Sequence, residues 1–202
     1  MGSMLGSPPL WVSDASVPAD SRPTDAELMV EARQGSRNAF QLVFERYRGA
    51  VWGFFRRRVA DASRAEELTQ DVFLAVLQGA ARYEARGPFR AYLFGIAFNV
   101  LMAERRRSGH QESVPIEDDA VAHTPSPDSA LWVRRALAQL QPEEREILML
   151  REYEQLSYQE LSEVLVVPVN TVRSRLFRAR AALKAALEQG SVGAEGEGHG
   201  SR

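Results

Sequence analysis

The residue types best suited to chemistry in this chain are cationic and polar side chains near its carboxyl end. Residues 171–189 contain five cations and one acid, Glu188. At 3.6 residues per turn, an apolar stripe that begins at Val172 and Leu176 leaves most of the arginines on the other side. Such a helix fits the DNA major groove, where guanidinium groups bind phosphate and guanine. The candidate DNA contacts are Asn170, Thr171, Arg173, Ser174, Phe177 and Arg178.

A short helix and a tight break precede this basic helix. Ser157 followed by Glu160 predicts a capping box at the start of the short helix. Pro168 cannot continue that helix, and Asn170 is a favoured N-cap, so we expect the basic helix to begin near Thr171. Two helices around such a break predict a helix-turn-helix. This context favours DNA binding over the alternative of a solvated charged face.

Composition argues against several classes of function. The absence of cysteine excludes disulfides, thiol catalysis and cysteine-based zinc sites. All three histidines, His110, His123 and His199, lie in segments expected to be linker or tail, so we predict no enzyme, no metal site and no cofactor. The sequence has neither an apolar run long enough to span a membrane nor an export signal at its N-terminus, which predicts a cytoplasmic protein without membrane insertion.

Composition and capping signals divide the chain into two helical domains. A capping box at Thr24 and Glu27 starts the first domain, and a polar, acidic stretch separates it from the second. The predicted fold is therefore all-α, with two small helical domains joined by a flexible acidic linker. In chain order we expect a disordered leader (1–23), the first domain (24–107), the linker (108–127), the helix-turn-helix domain (128–189) and a disordered tail (190–202).

Charge is segregated along the chain, although the net charge is only −2. Residues 141–165 contain seven glutamates and two arginines. The second predicted helix, capped by Ser36, ends instead in three arginines at 56–58. Cations there complement the helix dipole, and the same triplet could contact nucleic acid, so both interpretations stay open. The charge of each segment therefore matters more for interactions with partners than the net charge of the whole chain.

The third predicted helix has two apolar faces. We expect Ser63 to cap it and Leu68 to begin its core stripe. On a helical wheel Phe73, Leu74 and Leu77 lie away from that stripe, beside polar residues. A second apolar face predicts a partner surface, although a helix buried between two neighbours would have the same pattern.

The fourth predicted helix interleaves aromatic and cationic side chains. With Pro88 at its first position, its core stripe is expected to contain Phe89, Leu93, Ile96 and Val100. The remaining aromatics and arginines suit single-stranded nucleic acid, because bases stack on rings while cations neutralise phosphate. An aromatic core followed by a cationic helix end is the alternative. The candidate contacts are Arg90, Tyr92, Phe94, Phe98, Asn99, Arg105 and Arg106.

Three of these segments resemble, in the same order, parts of the extracytoplasmic-function (group IV) sigma factors. Residues 156–183 are similar to the family's promoter-reading C-terminal domain, with Val166 and Asn170 at two positions where glycine is commoner. Residues 89–99, FRAYLFGIAFN, resemble its promoter-melting segment, with Tyr92 in place of tryptophan and Phe98 in place of arginine. The third helix resembles the segment that docks on polymerase. That resemblance assigns docking to Glu67, Gln70, Asp71 and Leu74.

The resemblance implies a bacterial transcription initiation factor. Such a protein binds the largest-subunit coiled coil and the flap of core RNA polymerase, melts the proximal promoter element and reads the upstream element. The implied partners are core polymerase, promoter DNA and a separate anti-sigma factor, since the tail has only Val192 as a large apolar residue. The alternative is an autonomous helix-turn-helix regulator. That class would need a dimer surface or a receiver-like domain, and the N-terminal half shows no parallel-strand pattern.

Overall fold

The computed structural model describes residues 22–85, 87–108 and 127–195, and this part of the chain contains helices and turns but no strand. The all-α prediction is confirmed. Most of the predicted leader and linker, and residues 196–202 of the predicted tail, lie outside the described residues. The helices are α1 (Asp25–Arg33), α2 (Arg37–Arg56), α3 (Ala62–Gly79), α4 (Phe89–Arg107), α5 (Pro127–Gln139), α6 (Pro142–Glu152), α7 (Tyr158–Leu165) and α8 (Val169–Glu195), with a 3-10 turn at Ala80–Arg82.

Helices α1 to α4 pack together as a first bundle, and α5 to α8 form a second bundle. The predicted capping box starts α1, where Glu27 accepts from the backbone amide of Thr24 at 2.7 Å. That hydrogen bond lowers the pKa of Glu27. Asp25 joins α1 to α2 by accepting from Arg46 and from the Tyr47 hydroxyl. Burial, followed by this bond to Asp25, raises the pKa of Tyr47.

The core of the first bundle is aromatic, and it contains two side chains that we expected outside it. Phe73 is buried, because its ring meets Phe44 of α2 edge-on at 4.8 Å. Phe94 is fully buried, with its ring centroid 5.9 Å from that of Phe54. The predicted outward placement of both residues is therefore wrong. Burying a large apolar side chain stabilises the fold by about 1.5–3 kcal/mol. Both rings are therefore drawn into the core, although the helical wheel places them at the edge of the core stripe.

Several helix ends differ from the predictions. Asp61, not Ser63, caps α3, and it accepts from the Ser63 amide at 2.9 Å. Pro88 is the N-cap of α4 rather than its first residue. Helix α8 begins at Val169, so Asn170 lies within the first turn instead of capping it. Its backbone also stays helical to Glu195, beyond the predicted end, since extending an existing helix costs little.

The second bundle contains the predicted helix-turn-helix. The capping box of Ser157 and Glu160 starts α7, as predicted. Helix α8 buries its apolar stripe at Val172, Leu176 and Ala179 against α5, α6 and α7. The turn between α7 and α8 depends on Val166, which adopts a left-handed conformation with φ 53° and ψ 48°.

The conformation of Val166 generates a prediction about stability. A β-branched residue in the left-handed region is strained by about 1–2 kcal/mol, and this side chain is 87% exposed, so it gains little from packing. Glycine also adds conformational entropy to the unfolded chain, which offsets part of the relieved strain. We therefore expect Val166→Gly to raise the free energy of unfolding, measured by urea denaturation, by about 1 kcal/mol.

Val167→Gly is the matched control for this substitution. Val167 has a negative φ and packs against the core, so glycine there should lower stability. Equal destabilisation by the two substitutions would contradict the strain at Val166.

Candidate functional site

The four predicted docking residues share one exposed face of α3. Glu67, Gln70, Asp71 and Leu74 follow the i, i+3, i+4, i+7 spacing of a single stripe, and all four are exposed. Leu74 is 53% exposed, and its neighbour Leu77 is 50% exposed. The opposite stripe, at Leu68, Val72 and Val76, is fully buried. One face of α3 therefore forms the core while the other presents two leucines and two carboxylates to solvent.

An arginine fixes this face relative to α4. The Arg64 guanidinium bonds both carboxylate oxygens of Glu104, at 2.8 and 2.6 Å, and also reaches Glu67 at 2.5 Å. The bond from Arg64 holds the pKa of Glu104 below its usual value. Glu67 is thus oriented by an arginine that is itself anchored on the neighbouring helix.

The seven candidate contacts on α4 are not equally accessible. Only Asn99 and Arg106 are exposed. Phe94 lies in the core, and Phe98 is half-buried against it. Tyr92 packs against Tyr83 with the two rings tilted and their centroids 5.0 Å apart, and burial raises the pKa of the Tyr92 hydroxyl. The last two candidates, Arg90 and Arg105, are half-buried. Arg90 donates to the main-chain oxygen of Glu154, and Arg105 donates to the carboxylate of Glu146.

The outer face of α8 presents the predicted upstream-element residues. Asn170, Arg173, Ser174 and Arg178 are exposed, as is Phe177 at 76%, whereas Thr171 is half-buried. Neighbouring groups orient two of them. Arg173 donates to Asn170 Oδ1 at 3.2 Å, and Ser174 donates to the Thr171 carbonyl at 3.0 Å. An exposed aromatic ring among arginines is suited to contact with base edges and phosphates.

Sequence reasoning missed a buried ion network between the bundles. Arg58 Nε lies 2.7 Å from Glu146 Oε1, and its Nη1 lies 3.2 Å from Glu154 Oε1. Arg57 Nη2 lies 2.9 Å from the same Glu154 oxygen. The available signal was the charge segregation already noted, with three arginines at 56–58 and an excess of glutamates at 141–165. Opposite charges in separate segments suggest a contact but do not pair individual residues.

Two family models match this chain. Residues 43–111 match the model described as sigma-70 region 2, and residues 130–183 match the model described as sigma-70 region 4. The RNA polymerase sigma-H factor of Pseudomonas aeruginosa is 31% identical over 181 residues, which cover 81% of this chain and 94% of that protein. The ECF RNA polymerase sigma-E factor of Haemophilus influenzae is 30% identical over 175 residues, covering 78% and 92% of the two chains.

The chain belongs to the extracytoplasmic-function sigma factor family. A solved structure of CnrH in complex with the cytosolic domain of CnrY superposes on this sigma factor with a TM-score of 0.62 at 25% identity. The superposition covers 82% of this chain and 97% of that one.

Within residues 22–85, 87–108 and 127–195, no helix of the sigma factor is long and apolar enough to cross a membrane. The same residues contain no cluster of side chains that could hold a metal ion.

The exposed arginines of α8 generate a prediction about DNA affinity. If the residue contacts a base, replacing Arg173 or Arg178 with alanine should weaken the free energy of binding to a duplex with the upstream element by about 1–3 kcal/mol. If the residue contacts phosphate, the same substitution should weaken binding to all sequences. The measurement is an equilibrium titration of the sigma factor in complex with core polymerase.

Arg48→Ala is the control, since it removes the same charge from an exposed position on α2. Unchanged affinity in both α8 variants would refute the assignment of this face to DNA.

Proposed function

We propose that this sigma factor docks on core RNA polymerase through the exposed face of α3. The observation that carries the proposal is the stripe of Glu67, Gln70, Asp71 and Leu74, which is open to solvent while the opposite stripe is buried. Burying Leu74 and Leu77 against a partner would contribute about 1.5–3 kcal/mol for each side chain. Glu67 and Asp71 border these leucines, so the complementary surface on polymerase should be apolar and flanked by basic groups.

We propose further that the two bundles handle different parts of the promoter. The outer face of α8 reads the upstream element as duplex DNA, with Arg173 and Arg178 supplying charge. Helix α4 holds the proximal element as a separated strand, with Asn99 and Arg106 already accessible. Because arginines dominate both surfaces, DNA binding should weaken steeply as salt rises.

The predicted division into domains 24–107 and 128–189 remains part of this proposal, and the packing of α1–α4 and α5–α8 into separate bundles supports it. We infer that the protein acts in the cytoplasm, where core polymerase and chromosomal DNA are found. We also infer that its role is binding rather than catalysis, which is supported by relatives that are named as sigma factors.

A separate anti-sigma protein is a further proposed partner. CnrH, whose structure covers 82% of this chain, is bound to a second protein, the cytosolic domain of CnrY, and this supports a separate protein partner. Such an inhibitor would compete with polymerase most directly by covering Leu74 and Leu77, the two exposed leucines of α3.

The docking proposal predicts the effect of Leu74→Glu. A charge placed in an apolar contact is costly, whereas the same charge on a free surface is harmless. We expect the dissociation constant for core polymerase to rise by at least about tenfold, equivalent to about 1.4 kcal/mol, with little change in helix content or melting temperature.

Leu42→Glu is the matched control, because Leu42 is an exposed leucine on α2, outside the proposed docking face. Polymerase affinity that is unchanged in Leu74→Glu, or a loss of fold in that variant, would disprove the assignment of Leu74.

A further inference from the structure

Arg64 of α3 is shared between two carboxylates of unequal exposure. The side chain of Glu104, on α4, is 15% exposed, whereas that of Glu67, on α3, is 60% exposed. Glu104 accepts through both of its oxygens, from Arg64 Nε at 2.8 Å and from Nη2 at 2.6 Å. Glu67 accepts through one oxygen, from Arg64 Nη1 at 2.5 Å. The guanidinium therefore meets Glu104 at two points and Glu67 at one.

This geometry gives Glu104 the stronger hold on the arginine. Two parallel charge-assisted hydrogen bonds fix the plane of a guanidinium and are stronger than a single contact. Salt also screens the less exposed pair less. The bond to Glu104, followed by the bond to Glu67, raises the pKa of Arg64, so the cation keeps its charge. Arg107 approaches Glu104 too, but at 3.4 Å and from an exposed position, so its contact is weaker.

The position of Arg64 matters because it lies one turn before an acidic edge of the docking face. Glu67 and Asp71 supply the negative charge of that face, and a cation paired with Glu67 cancels part of it. With Glu104 included, one guanidinium and two carboxylates carry a net charge of −1. Without Glu104, Arg64 and Glu67 alone would be neutral.

Glu104 also limits how Arg64 can bind Glu67. While its Nε and Nη2 edge is occupied by Glu104, the guanidinium presents Nη1 to a single oxygen of Glu67. A carboxylate has about four lone-pair sites, so an exposed Glu67 can accept further bonds from a partner. Released from Glu104, the same fork would be free to turn onto both oxygens of Glu67.

We propose that Glu104 is a positioning residue for polymerase docking, which acts through Arg64 and keeps that cation from neutralising Glu67. The side chain of Glu104 is largely covered, so its effect passes through Arg64 rather than through contact with polymerase. The inference rests on the proposed function, in which a polymerase surface flanked by basic groups binds the exposed face of α3.

Binding of the full chain to core polymerase tests this role through Glu104→Gln, which keeps the shape of the side chain and removes its charge. At low salt the affinity should fall by about three- to fivefold, the upper range for one exposed ion pair. Most of the loss should lie in the association rate measured by stopped flow, and it should shrink as salt rises. Native affinity at low salt would overturn the proposal.

Glu45→Gln is the matched control, because it removes the same charge from an exposed position on α2, where Glu45 accepts from Gln41. Its polymerase affinity should stay at the native value. Equal losses in Glu45→Gln and Glu104→Gln would attribute the effect to net charge and overturn the role of Glu104.

A double-mutant cycle tests whether Glu104 acts through Arg64. Arg64→Gln removes the cation that Glu104 restrains, so this variant should bind polymerase at least as tightly as the native chain. Adding Glu104→Gln to Arg64→Gln should then change nothing, since coupled residues show non-additive effects. A loss on Glu104→Gln that persists undiminished without Arg64 would contradict the proposed route.

Two further variants separate this inference from a loss of fold and from the proposed function. If Glu104→Gln loses helix content by circular dichroism, Glu104→Asp carries the test, because it keeps the charge beside Arg64 and should bind more tightly than the glutamine variant. Equal weakness of the two would overturn the proposal. Leu74→Glu reports on the docking face independently. A loss of affinity in Leu74→Glu alone overturns only the role of Glu104, whereas native affinity in both overturns the docking proposal itself.

Discussion

The burial of Arg58 between Glu146 and Glu154 is the constraint on which the arrangement of this sigma factor depends. An arginine with a 1% exposed side chain must be paired, and both of its carboxylate partners belong to the other bundle. This pairing holds the two bundles together with α7 packed against α4, and so determines which surfaces remain exposed to solvent. The half-burial of Arg90 and Arg105 on α4 follows from this contact between the bundles.

Two of the three candidate surfaces are accessible while the bundles are in contact. The proposed polymerase-binding face of α3 is accessible while the bundles are in contact, so docking there does not require them to part. Helix α8 presents Arg173 and Arg178 in the same state, so upstream recognition does not require opening either.

Local sequence signals predicted much of this fold. The capping boxes at Thr24 and Ser157 start α1 and α7 where expected, and the apolar stripe of α8 is buried as its spacing predicts. Burial of Phe73 and Phe94 was missed, because a helical wheel shows a side chain's direction but not which neighbouring helix covers it. The network was missed because Arg57 and Glu154 lie 97 residues apart in the chain, and charge patterning alone does not pair such distant residues.

Small-angle X-ray scattering of the free, full-length chain tests most directly whether Arg58 and its glutamate partners hold the bundles together. The pair-distance distribution should have a single maximum at low salt and keep it at high salt, since buried ion pairs are screened far less than exposed ones. A distribution with a second maximum or shoulder, typical of two bundles moving independently, would contradict this contact between the bundles.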